Sequence, residues 1–218
     1  MKVSLEKFFR RYFVLLLLLW ILLVLYPDPL KLAISLKRLI EPPIDPSSIT
    51  LLIEELPSTS APQAIEDEVL DKITYRYDWE VYGMPWYFPT TSEAMAKGEG
   101  DCKARALILA SALEAKGIPY RINVSPIHIW VDYDGKPDNS VENTSVQFYQ
   151  QDVETGQRSL KLPHIPFSDV WTSFWDSFWG PMPVVRKILL ILGLVILIIT
   201  RFMLSIRHKP KTTSKIVF

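Results

Sequence analysis

GEGDCKARALILASALEAKGIPYRI, residues 98–122, reads as a turn, a helix and the start of a strand. Gly98, Gly100 and Asp101 make the turn. Ala106, Leu107, Ala110, Leu113 and Ala115 then recur at helical spacing as an apolar stripe, and Lys116-Gly117 closes the helix. Pro119 to Val124 follows as a strand, and Ser125-Pro126 turns the chain. Residues 127–133 (IHIWVDY) alternate as a second strand, ended by the hairpin signal Asp134-Gly135. Cys102 thus stands at the first turn of a buried helix, where free N–H groups and the positive dipole end predict a lowered thiol pKa. His128, Trp130 and Asp132 share one face of the second strand, opposite Ile127, Ile129 and Val131. A helix-start cysteine followed some 25 residues later by a strand histidine has the order of a thiol–imidazole pair.

Residues 62–167 make a domain of a size that folds alone, opening with a helix from Pro62 that spaces Ile65, Val69, Ile73 and Tyr77 by four. Residues 27–61 are a juxtamembrane segment and a Pro-, Ser- and Thr-rich linker, with one short strand expected at Ile49–Ile53. Residues 12–26 enclose an unbroken apolar run and are expected to be a first transmembrane helix. The run ends in Tyr-Pro-Asp-Pro without a small-x-small cleavage site, which favours an uncleaved anchor over a signal peptide. Residues 184–204 are expected to be a second span. Before it, in 168–183, Trp171, Phe174, Trp175, Phe178 and Trp179 fall on one helical face and predict an interfacial helix. Residues 30–40 offer a looser pattern of the same kind.

Net charge is zero, which argues against a nucleic-acid partner, but the charges are segregated. Residues 1–11 carry four basic groups against one acid, residues 201–218 carry five against none, and residues 27–183 hold 13 Lys/Arg against 23 Asp/Glu. Basic ends (1–11 and 205–218) around an acidic middle predict two cytoplasmic termini and an extracytoplasmic domain. Arg186 and Lys187, on the outer side in that arrangement, fit it least well. A single cysteine excludes an intramolecular disulfide. No cofactor is expected, and a metal site of Cys102, His128 and His164 lacks local ligand spacing.

The order GDCK, GIP, HIWV resembles the transglutaminase-like superfamily. GDCKARALILASALEAKGIPYRI is similar to its nucleophile helix and following strand, HIWVDY to its histidine strand, and the upstream YGMPWYFPTTSEAMAKGEG to its approach to the cysteine in bacterial and archaeal members. The likeness covers roughly residues 75–150. It implies a papain-like α+β fold, with the nucleophile helix packed on an antiparallel sheet, a Cys-His-Asp/Asn triad and acyl transfer through a thioester. Cys102 would attack an amide or ester carbonyl, and His128 would take and return the proton. The oxyanion would be held by the Cys102 N–H and a donor from Trp86 or Tyr87. The family's third residue falls some 14 or 15 positions after the histidine. Here that window holds Glu142 and Asn143, with Asp152 as an offset candidate; Asn143 is the expected orienter. The expectation is a membrane-anchored thiol peptidase, amidase or acyltransferase, acting on a protein or peptide substrate at the bilayer. An inactive scaffold of the same fold is the alternative.

Overall fold

The computed structural model describes residues 2–56, 61–125, 128–137, 142, 148–152, 155–160 and 167–206. The chain begins with α1 (Lys2–Leu25), α2 (Pro29–Ile40), α3 (Thr50–Glu55) and α4 (Pro62–Lys72). There follow β1 (Thr74–Tyr75), α5 (Asp78–Val81), α6 (Thr91–Lys97), β2 (Glu99–Gly100) and α7 (Cys102–Ala115). The second half holds β3 (Tyr120–Val124), β4 (Ile129–Tyr133), β5 (Tyr149–Asp152), β6 (Arg158–Leu160), α8 (Phe167–Ser173) and α9 (Val184–Ile206). The architecture is α+β. Two units divide it: residues 1–29 with 183–218, and residues 30–182.

The first unit pairs α1 with α9 along their lengths. Arg201 lies over the Phe13 ring at 4.4 Å. Trp20 fills the space beside Gly193, where a Cβ would come within 2.1 Å of the indole. Arg186 donates to Val24 O (3.1 Å) and Leu25 O (3.0 Å). These contacts run antiparallel, and the last gives Arg186 a task that sequence reasoning did not find: it satisfies carbonyls at the end of α1 that have no partner within the helix. Among the described residues, α9 is long and apolar enough to cross a membrane. Arg11–Leu25 passes that test only when joined to Pro29–Ile40.

The larger unit is built around α7. Lys103, Ala104 and every residue from Ala106 to Leu113 are buried, so the helix is covered on nearly all sides instead of along the one stripe expected. It is enclosed by α4, α6, the 3-10 turn Pro46–Ile49, β3 and β4. Ile65 and Val69 of α4 and the adjoining Ile73 bring the expected apolar ridge to this core. α7 ends as its Gly117 predicts. That residue has φ +67°, Gly117 N–H donates to Glu114 O (3.0 Å), and Ile118 N–H donates to Leu113 O (2.9 Å). This is a Schellman termination.

The sheet order is β4-β3-β5-β6, all antiparallel, with Val124 opposite both Ile129 and Tyr149. A separate parallel pair, β1-β2, leads into α7. Gly100 allows that entry, because a Cβ there would sit 2.5 Å from the Ala104 Cβ.

Residues 49–53 are not a strand. Asp45 accepts from Ser47 N–H and Pro46 opens the 3-10 turn, which continues into α3. Ile49, Leu52 and Leu56 then face the core at spacings of three and four, so helical burial of this ridge overrides the β-branched character of the run. α2 docks on the domain through one face. Ser35 Oγ accepts from Phe88 N–H, and Arg38 Nη1 reaches Tyr87 Oη, Phe88 O and Glu93 Oε2. Leu30, Ile34 and Ile40 stay exposed on the rest of it. The aromatic run is shorter as an α-helix than expected: α8 ends at Ser173 and Phe174–Trp179 continues as a π-helix. Trp79 Nε1 donates to Phe178 O at 2.7 Å, while Trp171, Phe174 and Trp175 remain exposed.

Candidate functional site

Cys102 is the first residue of α7, and the carboxylate of Asp101, its N-cap, accepts from Lys103 N–H. His128 immediately precedes β4. Its backbone is pinned by Ser125: His128 N–H donates to Ser125 Oγ (2.9 Å), while Ser125 N–H (2.8 Å) and Oγ–H (3.1 Å) donate to His128 O. The imidazole stacks on Trp130, with centroids 5.8 Å apart and planes 11° apart. Helix start and strand start thereby bring Cys102 and His128 to the walls of the same two cavities. One, of about 310 Å³, is also lined by Tyr75, Tyr77, Asp78, Trp86, Asp101 and Lys103. The other, of about 260 Å³, extends past Trp130 to Glu66, Lys136 and Glu142.

The electrostatics differ from the sequence expectation. Burial pushes the Cys102 thiol up to about 12; Asp101 adds to the rise, Lys103 and the Ile129 N–H oppose it, and Asp78 adds to it again. A helix terminus contributes about 0.3–1 kcal/mol toward the thiolate, less than one pKa unit. Desolvation of an anion in this half-buried place, near two carboxylates, outweighs it. Burial also lowers the His128 pKa, and Lys136 lowers it further, while Asp101 opposes them. Both directions favour the neutral forms, so the two cavities hold a thiol and a neutral imidazole and not an ion pair.

Lys136 is therefore an electrostatic neighbour of the imidazole as well as a structural cation. It is held by Val131 O (2.7 Å), Glu142 (2.9 Å) and Glu66 (3.0 Å). Lys136→Met is expected to raise the His128 pKa, read as a shift of its imidazole NMR titration to higher pH. No movement would mean that desolvation alone sets it.

The candidates for the third position part company. Glu142 lines the second cavity but is engaged by Lys136, and burial raises its pKa. Asp152 lies at the far end of the sheet, opposite Arg121, whose Nε bonds it at 2.8 Å; with Thr155 N–H this lowers its pKa to about 2. The register sets Asp152 three residues along β3 from Val124, at the end away from His128. Asn143 and His164 lie outside the described residues. Among the described residues no group of three or more His, Cys, Asp and Glu could hold a metal ion. Of the two oxyanion candidates, Trp86 lines the first cavity. Tyr87 N–H is already given to Asp78 Oδ2 (2.7 Å), and its hydroxyl meets Arg38 and Glu93.

Sequence reasoning missed the acidic side of the site. Lys103 Nζ is buried between Asp78 Oδ2, at 2.8 Å, and Asp101 Oδ2. Lys103 gave little signal in the sequence, because α7 carries Arg105 and Glu114 as well. Asp78 gave none, because its partner is 25 positions away.

No family model matches the chain, and no curated protein matches it.

Proposed function

We propose that this chain is a membrane-anchored cysteine enzyme of the transglutaminase-like type, acting by acyl transfer through a thioester at Cys102. The observation that carries the reading is the shared placement of Cys102 and His128 on both cavities. Neutral imidazole is the form that accepts a proton, and a thiol with a raised pKa needs that base as attack proceeds. His128 takes the Cys102 proton as sulfur bonds to the substrate carbonyl carbon, then gives it to the leaving amine or alcohol. The Cys102 backbone N–H at the helix start supports the developing oxyanion, and Asn143 orients the imidazole. Water or a second amine then resolves the thioester.

The substrate is a protein or peptide at the bilayer, with the lipid itself as the other partner. α9 and the apolar part of α1 serve as two spans, and the exposed Trp171, Phe174 and Trp175 lie at headgroup level. Both termini are then cytoplasmic and the domain extracytoplasmic. A reporter fused after Phe218 is expected to be active only in the cytoplasm, and one inserted at Gly156 only outside; the reversed pattern would overturn the topology.

The test of chemistry is acylation of the detergent-solubilised chain by p-nitrophenyl acetate. One acetyl group per chain, mapped by mass to Cys102 and absent in Cys102→Ser, supports the enzyme. Absence of any adduct on a folded protein favours a scaffold. That second reading draws on the raised thiol and on the engagement of Glu142 and Asp152 elsewhere.

A further inference from the structure

Lys103 is 4% exposed and has two carboxylates to satisfy with one charge. Asp78, 3% exposed, uses only Oδ2: it accepts from Lys103 Nζ (2.8 Å) and from Tyr87 N–H (2.7 Å). Asp78 Oδ1 has no hydrogen-bond partner among the described residues, and neither has the hydroxyl of Tyr82, another buried neighbour. Two acids and one base leave this corner one charge negative, and Asp78, Asp101, Lys103 and Cys102 line the same cavity. The other titratable groups around it, His128, Tyr75, Tyr77 and Tyr82, favour their neutral forms, and Arg105 is paired to Ile73 O. Nothing in the hydrogen bonding of Asp78 requires it to be ionised. Its second oxygen carries charge without a donor, in a place where unpaired charge is expensive.

We infer that Asp78 is a positioning residue that sets the ionisation of Cys102 through Lys103, its negative charge keeping the resting thiol protonated. When Asp78 takes up a proton from solvent, Lys103 answers to Asp101 alone and the corner becomes neutral. The Cys102 proton can then pass to His128 without adding a second unbalanced anion. Burial pushes Asp78 up to about 7, against the pull of Lys103, so this proton is exchanged near neutrality. The inference rests on Cys102 being the nucleophile of the proposed reaction, but its test needs no substrate.

The test is the rate of iodoacetamide alkylation of the full-length, detergent-solubilised protein from pH 5 to pH 10, in wild type, Asp78→Asn and His128→Ala. In Asp78→Asn the new side-chain amide keeps both hydrogen bonds through its oxygen, and its NH2 replaces an oxygen that has no partner. A fall of about one unit in the thiol pKa, offset by weaker nucleophilicity, gives about threefold faster alkylation at pH 9. The ratio of Asp78→Asn to wild type is expected to fall to one at pH 5, where Asp78 is already protonated. A ratio that is one at every pH, or constant at another value, would overturn the inference, since a purely structural effect has no reason to follow Asp78. A second readout does not depend on the variant folding. The Asp78 carboxyl carbon in wild type is expected to titrate near neutral pH by 13C NMR, and a carboxylate ionised down to pH 4 would refute the idea. Failure of ester acylation with a pH-dependent ratio would sink the proposed reaction and leave Asp78 in its role; the reverse pair of results would do the opposite.

Discussion

Lys103→Met is expected to destabilise the domain by about 3–5 kcal/mol at pH 8, the range for removing one partner of a buried ion pair. Methionine fills the volume, so the loss is electrostatic: Asp78 and Asp101 face each other without their shared cation. The sign of the pH dependence follows from Asp78, whose folded pKa is about 7. Between its unfolded value and 7, the native state binds the proton more tightly than the unfolded chain. The contribution is fully present below the unfolded pKa and is lost as pH rises through 7. Acidification lets the two carboxylates protonate in the variant, so the deficit should shrink toward pH 5. Urea melts of the detergent-solubilised protein at pH 5 and pH 8 measure this. An equal deficit at both would mean that Lys103 acts through packing.

The second large effect concerns His128. Replacing it by Ala is expected to slow acylation of Cys102 by about 10²–10⁴-fold, the usual worth of a positioned general base. The effect should be larger in turnover than in substrate binding. Because the imidazole pKa is lowered by burial and by Lys136, its basic form persists to lower pH than that of a free histidine. The acid limb of the wild-type rate profile should therefore lie below pH ~6.5 and vanish in His128→Ala. A variant that retains most of its rate would leave Cys102 a reactive residue without a base.

The order of elements around Cys102 was legible because each carried a local signal. Asp101 could be read as a turn residue, Gly117 as a stop and the alternation around Trp130 as a strand, and those features share one neighbourhood in the chain. The same locality explains the misses. Ile49–Ile53 is apolar and β-branched enough for a strand, but the capping by Asp45 and the core-facing spacing of Ile49, Leu52 and Leu56 decide it. The thiol was expected to be acidic from helix position alone. Its environment is set first by burial and by Asp101, and Asp78 adds to it from α5 through contacts no spacing rule anticipates. Glu142, one of the candidates in the window for the third position, is bound by a lysine six residues earlier, a pairing that a count from His128 cannot show.

Gly193 gives the α1–α9 pair a fixed phase. Arg186, Gly193 and Arg201 are seven and eight residues apart, so they fall near one line of α9 and meet Val24, Trp20 and Phe13 in turn. An α-helix turns about 100° per residue. Adding or deleting a single residue between Arg186 and Gly193 would therefore swing either Arg186 or the Gly193 and Arg201 pair out of line, and wherever Gly193 is displaced Leu192 or Leu194 would be driven into the indole of Trp20. Hydrophobicity alone would tolerate such a change, since the segment stays as greasy as before. The pair thus reads α9 as a notched rule and not as a uniform rod, and the length of α9 can drift in evolution only at the ends beyond Arg186 and Arg201.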